Sequence, residues 1–274
     1  MAVERVQSAI ARARAQRESR DAAYDADDIT LSDVDEVIEP VELLDWNALP
    51  KSSMTERILD RARIVTAGLS QNATAFDMLR TKVLQRMKAE GWKRIAITSA
   101  DKNCGKTTVA MNLAFSLTRQ RELRTILIDA DLRRPSLARA MRLSPKAGFA
   151  QVLTRDVALP QTLIRVRDNL GVLATRNRSL NSAELMHADS VPAVLKEIER
   201  AYRPDVMIFD LPPLMEADDT LAFLGNVDCA LLVTTAEHTT AAQIEACVRD
   251  ISARTALVGI ALNKYRAVGA VTGY

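Results

Sequence analysis

The chain has 274 residues, 48% of them hydrophobic and 26% charged, with a formal net charge of +2. That length suits one large α/β domain with appendages, or two small domains, and the balance is that of a globular protein. Its apolar runs fall far short of the roughly 18 to 20 residues a membrane span requires. The N-terminus has no apolar signal-peptide core, so no secretory signal is expected. The three cysteines, Cys104, Cys229 and Cys247, show no CxxC spacing, and His187 and His238 lie far apart. A disulfide framework, a zinc site and a histidine metal site are therefore not expected, and the reading is a reduced, cytoplasmic protein.

Charge is distributed unevenly. Residues 1–20 hold five arginines and two glutamates, for +3, and residues 21–50 hold ten acidic residues and no basic one, for −10. The body from residue 51 onward is then left at +9. Val3, Val6, Ile10 and Ala13 recur at helical spacing, which predicts an amphipathic basic helix over 1–20. Its arginine face suits an acidic partner or an anionic membrane surface, although a short isolated helix is only marginally stable. Residues 21–50 read as an acidic, disordered linker in which Ile38, Val41, Leu43, Leu44 and Trp46 form a candidate docking motif. An acidic leader on a basic body either folds back onto it or serves as a solvated tether. Residues 51–274 are expected to form the main domain.

Helical spacing through Phe76, Leu79, Val83 and Met87 stops at Gly91, a natural C-terminal signal. Five short, nearly continuous apolar runs follow: RIAIT (94–98), TILIDA (125–130), DVMIFD (205–210), CALLVTT (229–235) and ALVGIALN (256–263). Such runs are the pattern of strands buried on both faces of a parallel sheet. Helical stretches at 106–120, 136–143, 190–202 and 240–253 separate them. The alternation predicts an α/β fold, a mostly parallel, doubly wound sheet flanked by helices. Ligands then bind beyond the carboxyl ends of the strands.

The stretch ADKNCGKT (100–107) follows the first of these runs and precedes the helical VAMNLAFSL, the context a phosphate loop requires. Asp101, Lys102, Asn103, Cys104, Gly105, Lys106, Thr107 and Thr108 are the candidate nucleotide-binding residues. Lys106 would reach the β- and γ-phosphates, the Thr107 hydroxyl would bind Mg²⁺, and backbone N–H groups at the helix start would face the phosphates. Asn103 stands where many such loops have glycine, and asparagine tolerates the positive φ required there. Cys104 reads as a small tolerated residue, or as a thiol activated by the helix terminus.

Asp129 and Asp131 close the second run two residues apart, which on an extended chain aims both carboxylates to one side. One can hold the Mg²⁺ shell and the other can take a proton from an attacking hydroxyl. Asp210 closes the third run and is a further Mg²⁺ candidate. Asp218 and Asp219 read as site residues or as a helix N-cap, the cap being favoured for at least one. Asn263 ends the last run, where its amide would read an adenine edge or fill a turn.

Taken together, ADKNCGKT, IDADLR and MIFDLPP resemble the three ATP motifs of the bacterial tyrosine kinases of capsule and exopolysaccharide synthesis. The resemblance runs from Phe76 to Asn263. It implies a phosphate-loop NTPase of the deviant-Walker branch related to Par and Min ATPases, with ATP and Mg²⁺ as cofactors. It assigns Lys106, Asp129 and Asp131 to catalysis, Thr107, Asp131 and Asp210 to the metal, and Tyr274 as tail phosphoacceptor. The implied activity is autophosphorylation on tyrosine, regulating polysaccharide synthesis and export. The implied partner is a membrane-spanning co-polymerase that holds a cytoplasmic protein at the inner face of the membrane; no nucleic acid is expected. The family's ExxRxxR oligomerisation motif is represented here by Thr74, Asp77 and Arg80, so only its last arginine remains and a homo-oligomer is in doubt. An ATP-bound regulator with little kinase activity is the alternative. A Par/Min-type positioning ATPase fits less well, because Asp101 stands where that group has its extra lysine.

Overall fold

A computed structural model describes residues 43–68 and 73–265. The basic helix expected over 1–20, most of the acidic leader and Tyr274 lie outside the described residues. In chain order come α1 (Glu56–Arg61), α2 (Thr74–Glu90), β1 (Arg94–Ser99), α3 (Lys106–Leu117), β2 (Thr125–Asp129), α4 (Leu137–Ala140), α5 (Phe149–Leu153), β3 (Ile164–Arg167) and β4 (Leu170–Leu173). Then follow α6 (Ser182–His187), α7 (Val191–Tyr202), β5 (Val206–Asp210), α8 (Asp218–Phe223), β6 (Cys229–Thr235), α9 (Ala241–Ser252) and β7 (Ala256–Asn263).

The strands form one sheet in the order β3-β4-β2-β5-β1-β6-β7. Every pairing is parallel except β3 with β4. Successive side chains on a strand point to opposite faces, and here both faces are covered. Ile126, Ile128, Met207, Phe209, Ala230 and Leu232 face one apolar layer, packed under α5 to α9. Ile95, Ile97, Leu127, Ile208, Leu231 and Val233 face the other, under α2 and α3. This double burial is why the five runs contain so few polar residues. Gly91 ends α2 in the left-handed region (φ 70), where a side chain would be strained.

Three expectations need correction. The helix expected over 136–143 is only the four-residue α4. Leu143 N–H returns to the Ala138 carbonyl and Arg142 adopts a left-handed φ of 53, which closes the helix after one turn. The strands β3 and β4 were not legible: each has four residues, and IRVR interleaves charge where the other strands are apolar. For β3 the edge position explains the difference, since its one strand partner is the antiparallel β4 and its outer side carries only a single bridge from Lys51; β4 lies inside the sheet and is apolar but short.

The third correction concerns residues 43–50, expected to be part of a disordered linker. Trp46 is buried, its indole N–H donates to the Asp168 carbonyl at 2.7 Å, and its ring meets Tyr202 edge-on at 6.3 Å. The Arg124 guanidinium lies 4.9 Å from the same ring. Leu44 N–H bonds the Ala201 carbonyl, Leu49 is buried and Lys51 bridges Arg165 on β3. Burial of the indole and the leucine, together with the hydrogen bonds to Asp168, Ala201 and Arg165, offsets the cost of ordering this segment. Leu44 and Trp46 thus dock as the motif reading had them, while Leu43 stays exposed.

Candidate nucleotide and phosphoryl-transfer site

The strand order decides which chain segments meet. Because β5 lies between β1 and β2, the carboxyl ends of all three are adjacent, with Ile97 opposite Asp210 and Asp210 opposite Asp129. The phosphate loop leaves β1 at this end. Its turn uses two left-handed residues, Asn103 (φ 62) and Gly105 (φ 89), so asparagine does replace a glycine. Gly105 precedes α3 and no side chain caps that helix, leaving its first N–H groups turned outward for an anion.

The loop is tied from several sides. Ser99 Oγ donates to the Asp101 carbonyl at 2.7 Å, and Gln243 Nε2 of α9 donates to Asp101 Oδ2 at 2.9 Å. Asp101, where Par/Min proteins have a lysine, is therefore held within its own chain. Lys102 N–H donates to Glu216 Oε1 at 3.1 Å. From the end of β7, Asn263 Nδ2 donates to the Cys104 carbonyl at 2.8 Å and Lys264 Nζ to the Asn103 carbonyl at 2.7 Å. Cys104 itself is buried in the layer under α3. Asn263 braces the loop from behind: a Cβ at position 105 would come well under 3.0 Å from its amide nitrogen.

Inside the site, Lys106 Nζ lies 2.8 Å from Asp131 Oδ2 and 3.5 Å from Asp210 Oδ1. Thr107 Oγ donates to Asp210 Oδ2 at 2.6 Å and is 3.2 Å from Ser136 Oγ. Asp131 Oδ1 accepts from Arg134 N–H. Asp129 has different partners from Asp131, because β2 ends at Asp129 and the chain turns after it. Its Oδ2 accepts from Ser136 and Leu137 N–H at 3.0 and 2.9 Å. Asp131 lines the open cleft, whereas Asp129 sits wholly buried behind it.

Three carboxylates surround one ammonium group. Burial, with repulsion from Asp210, holds the Asp129 carboxyl well above the ordinary carboxylate range. Burial also raises Asp210, against the opposing pull of Lys106 and the Thr107 hydroxyl. Burial acts to lower Lys106, but attraction to Asp210, Asp131 and Asp129 prevails and its affinity for the proton is raised. Asp129 Oδ1 and Asp210 Oδ1 are buried without a hydrogen-bond partner. This is a site short of positive charge, and its donor set, a threonine hydroxyl with aspartates, fits Mg²⁺. Among the described residues no three carboxylate, thiol or imidazole groups form a complete metal cage. That too suits Mg²⁺, which in nucleotide sites takes one or two protein ligands alongside phosphate and water.

The cleft has a volume of about 710 Å³ and is lined by Asn103, Gly105, Lys106, Thr107, Thr108 and Asp131, among others. Sequence reasoning missed Ser136, Glu216 and the arginines Arg61 and Arg63, which reach the cleft from the end of α1 and the turn that follows it. Nothing local in ERILDRARI (56–64) signals that role. Asp218 and Asp219 are not the cap of α8, since Ala217 holds that position. They bind Arg133 instead: its Nε is 2.9 Å and its Nη2 2.7 Å from Asp219, and Nη2 is 2.9 Å from Asp218. This fixes the turn that follows Asp131.

A mostly parallel sheet with a phosphate loop at its carboxyl edge defines the class. The family described as ParA: NUBPL iron-transfer P-loop NTPase matches residues 92–264, and the chain belongs to that group of P-loop NTPases. Tyrosine-protein kinase YwqD of Bacillus subtilis is 32% identical over 177 residues, covering 64% of this chain and 73% of that protein. Within the P-loop NTPases, then, the chain is a member of the bacterial tyrosine kinase family. The kinase domain of Escherichia coli tyrosine kinase ETK superposes with a TM-score of 0.67 at 23% identity, covering 82% of this chain and 93% of that one. Some relatives are much longer. The succinoglycan biosynthesis transport protein ExoP of Rhizobium meliloti is 29% identical over 172 residues, which is 62% of this chain but 22% of ExoP.

Proposed function

We propose that the chain is an ATP-dependent protein-tyrosine kinase that phosphorylates itself and serves surface-polysaccharide synthesis or export. The observation that supports it is the meeting of Lys106, Thr107, Asp131 and Asp210 beneath the uncapped start of α3. Lys106 rests on Asp131 and Asp210; triphosphate in the loop draws its ammonium away from them toward the β- and γ-phosphates. That frees Asp131 Oδ2, on the cleft wall, to accept the proton of an attacking tyrosine hydroxyl. Thr107 and Asp210, with Asp131, would hold Mg²⁺, which when bound neutralises charge on the transferring phosphoryl group. Asp129 positions the turn that carries Asp131 and Ser136, through its bonds to Ser136 and Leu137 N–H. Tyr274 is the proposed tail acceptor. The ExoP relative supports a membrane-spanning polysaccharide co-polymerase as partner, holding this chain at the inner face of the membrane. Among the described residues no helix is long and apolar enough to cross a membrane.

A second reading, an ATP-bound regulator with little kinase activity, draws on one observation. Arg80, the surviving arginine of the oligomerisation motif, is bound within its own chain to Asp77 and to the Ser116 carbonyl. Asp77 in turn pairs with Arg119 at 2.7 Å. The deciding experiment incubates the pure protein with Mg·ATP and probes phosphotyrosine in wild type, Lys106→Ala, Asp131→Asn and Tyr274→Phe. Each is assayed with and without the cytoplasmic part of a co-polymerase. Wild type should label; Asp131→Asn should lose at least about 100-fold, the usual weight of a positioned proton acceptor, and Lys106→Ala a similar factor through lost stabilisation of the transferring phosphate. Tight ATP binding with no phosphotyrosine in any condition would favour the regulator.

A further inference from the structure

The mouth of the cleft holds more positive charge than the nucleotide site beneath it uses. Arg61, Arg63, Lys102, Arg134, Arg139 and Lys264 all line it and all are exposed. Lys102 and Arg134 share the single carboxylate of Glu216, and Lys264 is engaged with the Asn103 carbonyl. Among the described residues, Arg61, Arg63 and Arg139 have no ion-pair partner. Lys106, deep in the site, pairs with Asp131 and Asp210 and is the group assigned above to the phosphates. A surplus of this kind on an exposed rim selects a polyanionic ligand that extends past the nucleotide.

The same chain contains such a ligand. Residues 21–42 hold nine carboxylates and no basic residue, and within them DAAYDADD (21–28) places Tyr24 among four aspartates. The protein has only four tyrosines, and Tyr202 is buried in the core. The chain enters the described structure beside Ala201, at the amino end of the strands, opposite the cleft. Nineteen residues of extended chain from Tyr24 to Leu43 reach up to about 60 Å. The strands separating the two ends are only about 17–26 Å long. The leader is therefore long enough to reach the cleft of its own molecule as well as that of a neighbour.

We propose that the acidic leader docks on the arginine rim of the cleft and that Tyr24 is a phosphoacceptor of this kinase. This rests on the kinase reading above and names its substrate class, a tyrosine followed by aspartates. Tyr24 Oη forms a bond to the γ-phosphorus of ATP. The bond from that phosphorus to the β–γ bridging oxygen breaks, its electron pair leaves with ADP, and the phenolic proton passes to Asp131. The aspartates after Tyr24 pair with Arg61, Arg63 and Arg139. The added phosphate then increases the charge that the rim attracts, so product release is slowed.

The test uses the full chain with Mg·ATP, site-resolved mass spectrometry of Tyr24 and Tyr274, and a soluble Glu–Tyr copolymer as an independent acceptor. Tyr24 should be phosphorylated. Its labelling, normalised to the nucleotide affinity of each variant, should fall about tenfold in Arg61→Glu/Arg139→Glu, equivalent to about 1.4 kcal/mol. Asp25→Lys/Asp27→Lys should cause the same loss, and joining the two pairs of reversals should restore labelling. Raising salt to 0.5 M should weaken wild-type labelling as screening shortens the reach of the rim. Labelling of Tyr274 or the copolymer but not of Tyr24 overturns this inference and leaves the kinase reading intact. Tyr24 labelling that ignores the charge reversals overturns the docking. No phosphotyrosine on any acceptor despite bound ATP overturns both this inference and the kinase reading.

Discussion

Replacing Gly105 with alanine isolates what holds the phosphate loop in shape. Gly105 has φ 89, where a non-glycine residue costs about 1–2 kcal/mol. The new Cβ would also come well under 3.0 Å from Asn263 Nδ2, so that side chain must swing away. It then gives up its 2.8 Å bond to the carbonyl of buried Cys104. A buried carbonyl left without a partner costs about 1–3 kcal/mol. Gly105→Ala should therefore destabilise the domain by about 2–5 kcal/mol, and Asn263→Ala, which loses only the bond, by about 1–3 kcal/mol. In the double variant the clash is gone and the bond is already lost. It should be no less stable than Gly105→Ala alone, which is a departure from additivity of about 1–3 kcal/mol. Urea unfolding of the four proteins measures the cycle, and nucleotide titration should show weakened binding in every variant. Single-variant costs that add to within about 0.5 kcal/mol would refute the strut, since independent sites add to that tolerance.

Two further outcomes follow from the buried groups. Asp129 has a folded-state pKa raised well above its ordinary 3.8, so its favourable contribution is complete below about pH 3.8 and is lost as pH rises through the folded value. Asp129→Asn should therefore be more thermostable than wild type near neutrality. The gap should widen as pH rises from 4, by a few °C for each ~1 kcal/mol relieved, while phosphotyrosine formation falls. A gap that is flat or reversed across pH 4–8 would mean the charge is compensated in the folded protein. Trp46→Ala should cost about 3–5 kcal/mol in chemical unfolding, as the loss of a large buried aromatic does. A cost below about 1 kcal/mol would show that residues 43–50 are not integral to the domain.

Much of the architecture was legible because its signals are local. The runs ILI, VMIF and ALLV are apolar at every position because both faces of their strands are covered, and that requirement is written into consecutive residues. The same holds for the phosphate loop. Asn103 and Gly105 are residues that tolerate positive φ, and Lys106 and Thr107 follow at the start of a helix. The edge strand β3 lacked such a signal, being four residues with arginines at positions 165 and 167, and its neighbour β4, though apolar and buried, was too short at four residues to stand out. The cap expected at Asp218 or Asp219 failed for a related reason. A carboxylate before a helix has a local use, but Arg133, more than eighty residues away, takes both.

By itself the sequence determined that this is a phosphate-loop α/β protein with aspartates at the ends of two further strands. It did so because strand burial, helix starts and turn chemistry depend on near neighbours. Only the tertiary structure decided which of those residues meet. The position of β5 between β1 and β2 brings Asp210 to Thr107 and Lys106. The turn after β2 then sends Asp131 to the cleft wall and leaves Asp129 buried behind it. The return of β7 places Asn263 against Gly105, and the end of α1 with the turn after it carries Arg61 and Arg63 to the rim. These contacts join residues up to about 160 positions apart, such as Asn263 and Cys104. Their cause is sheet order, which packing fixes across the whole chain and no short window of sequence contains.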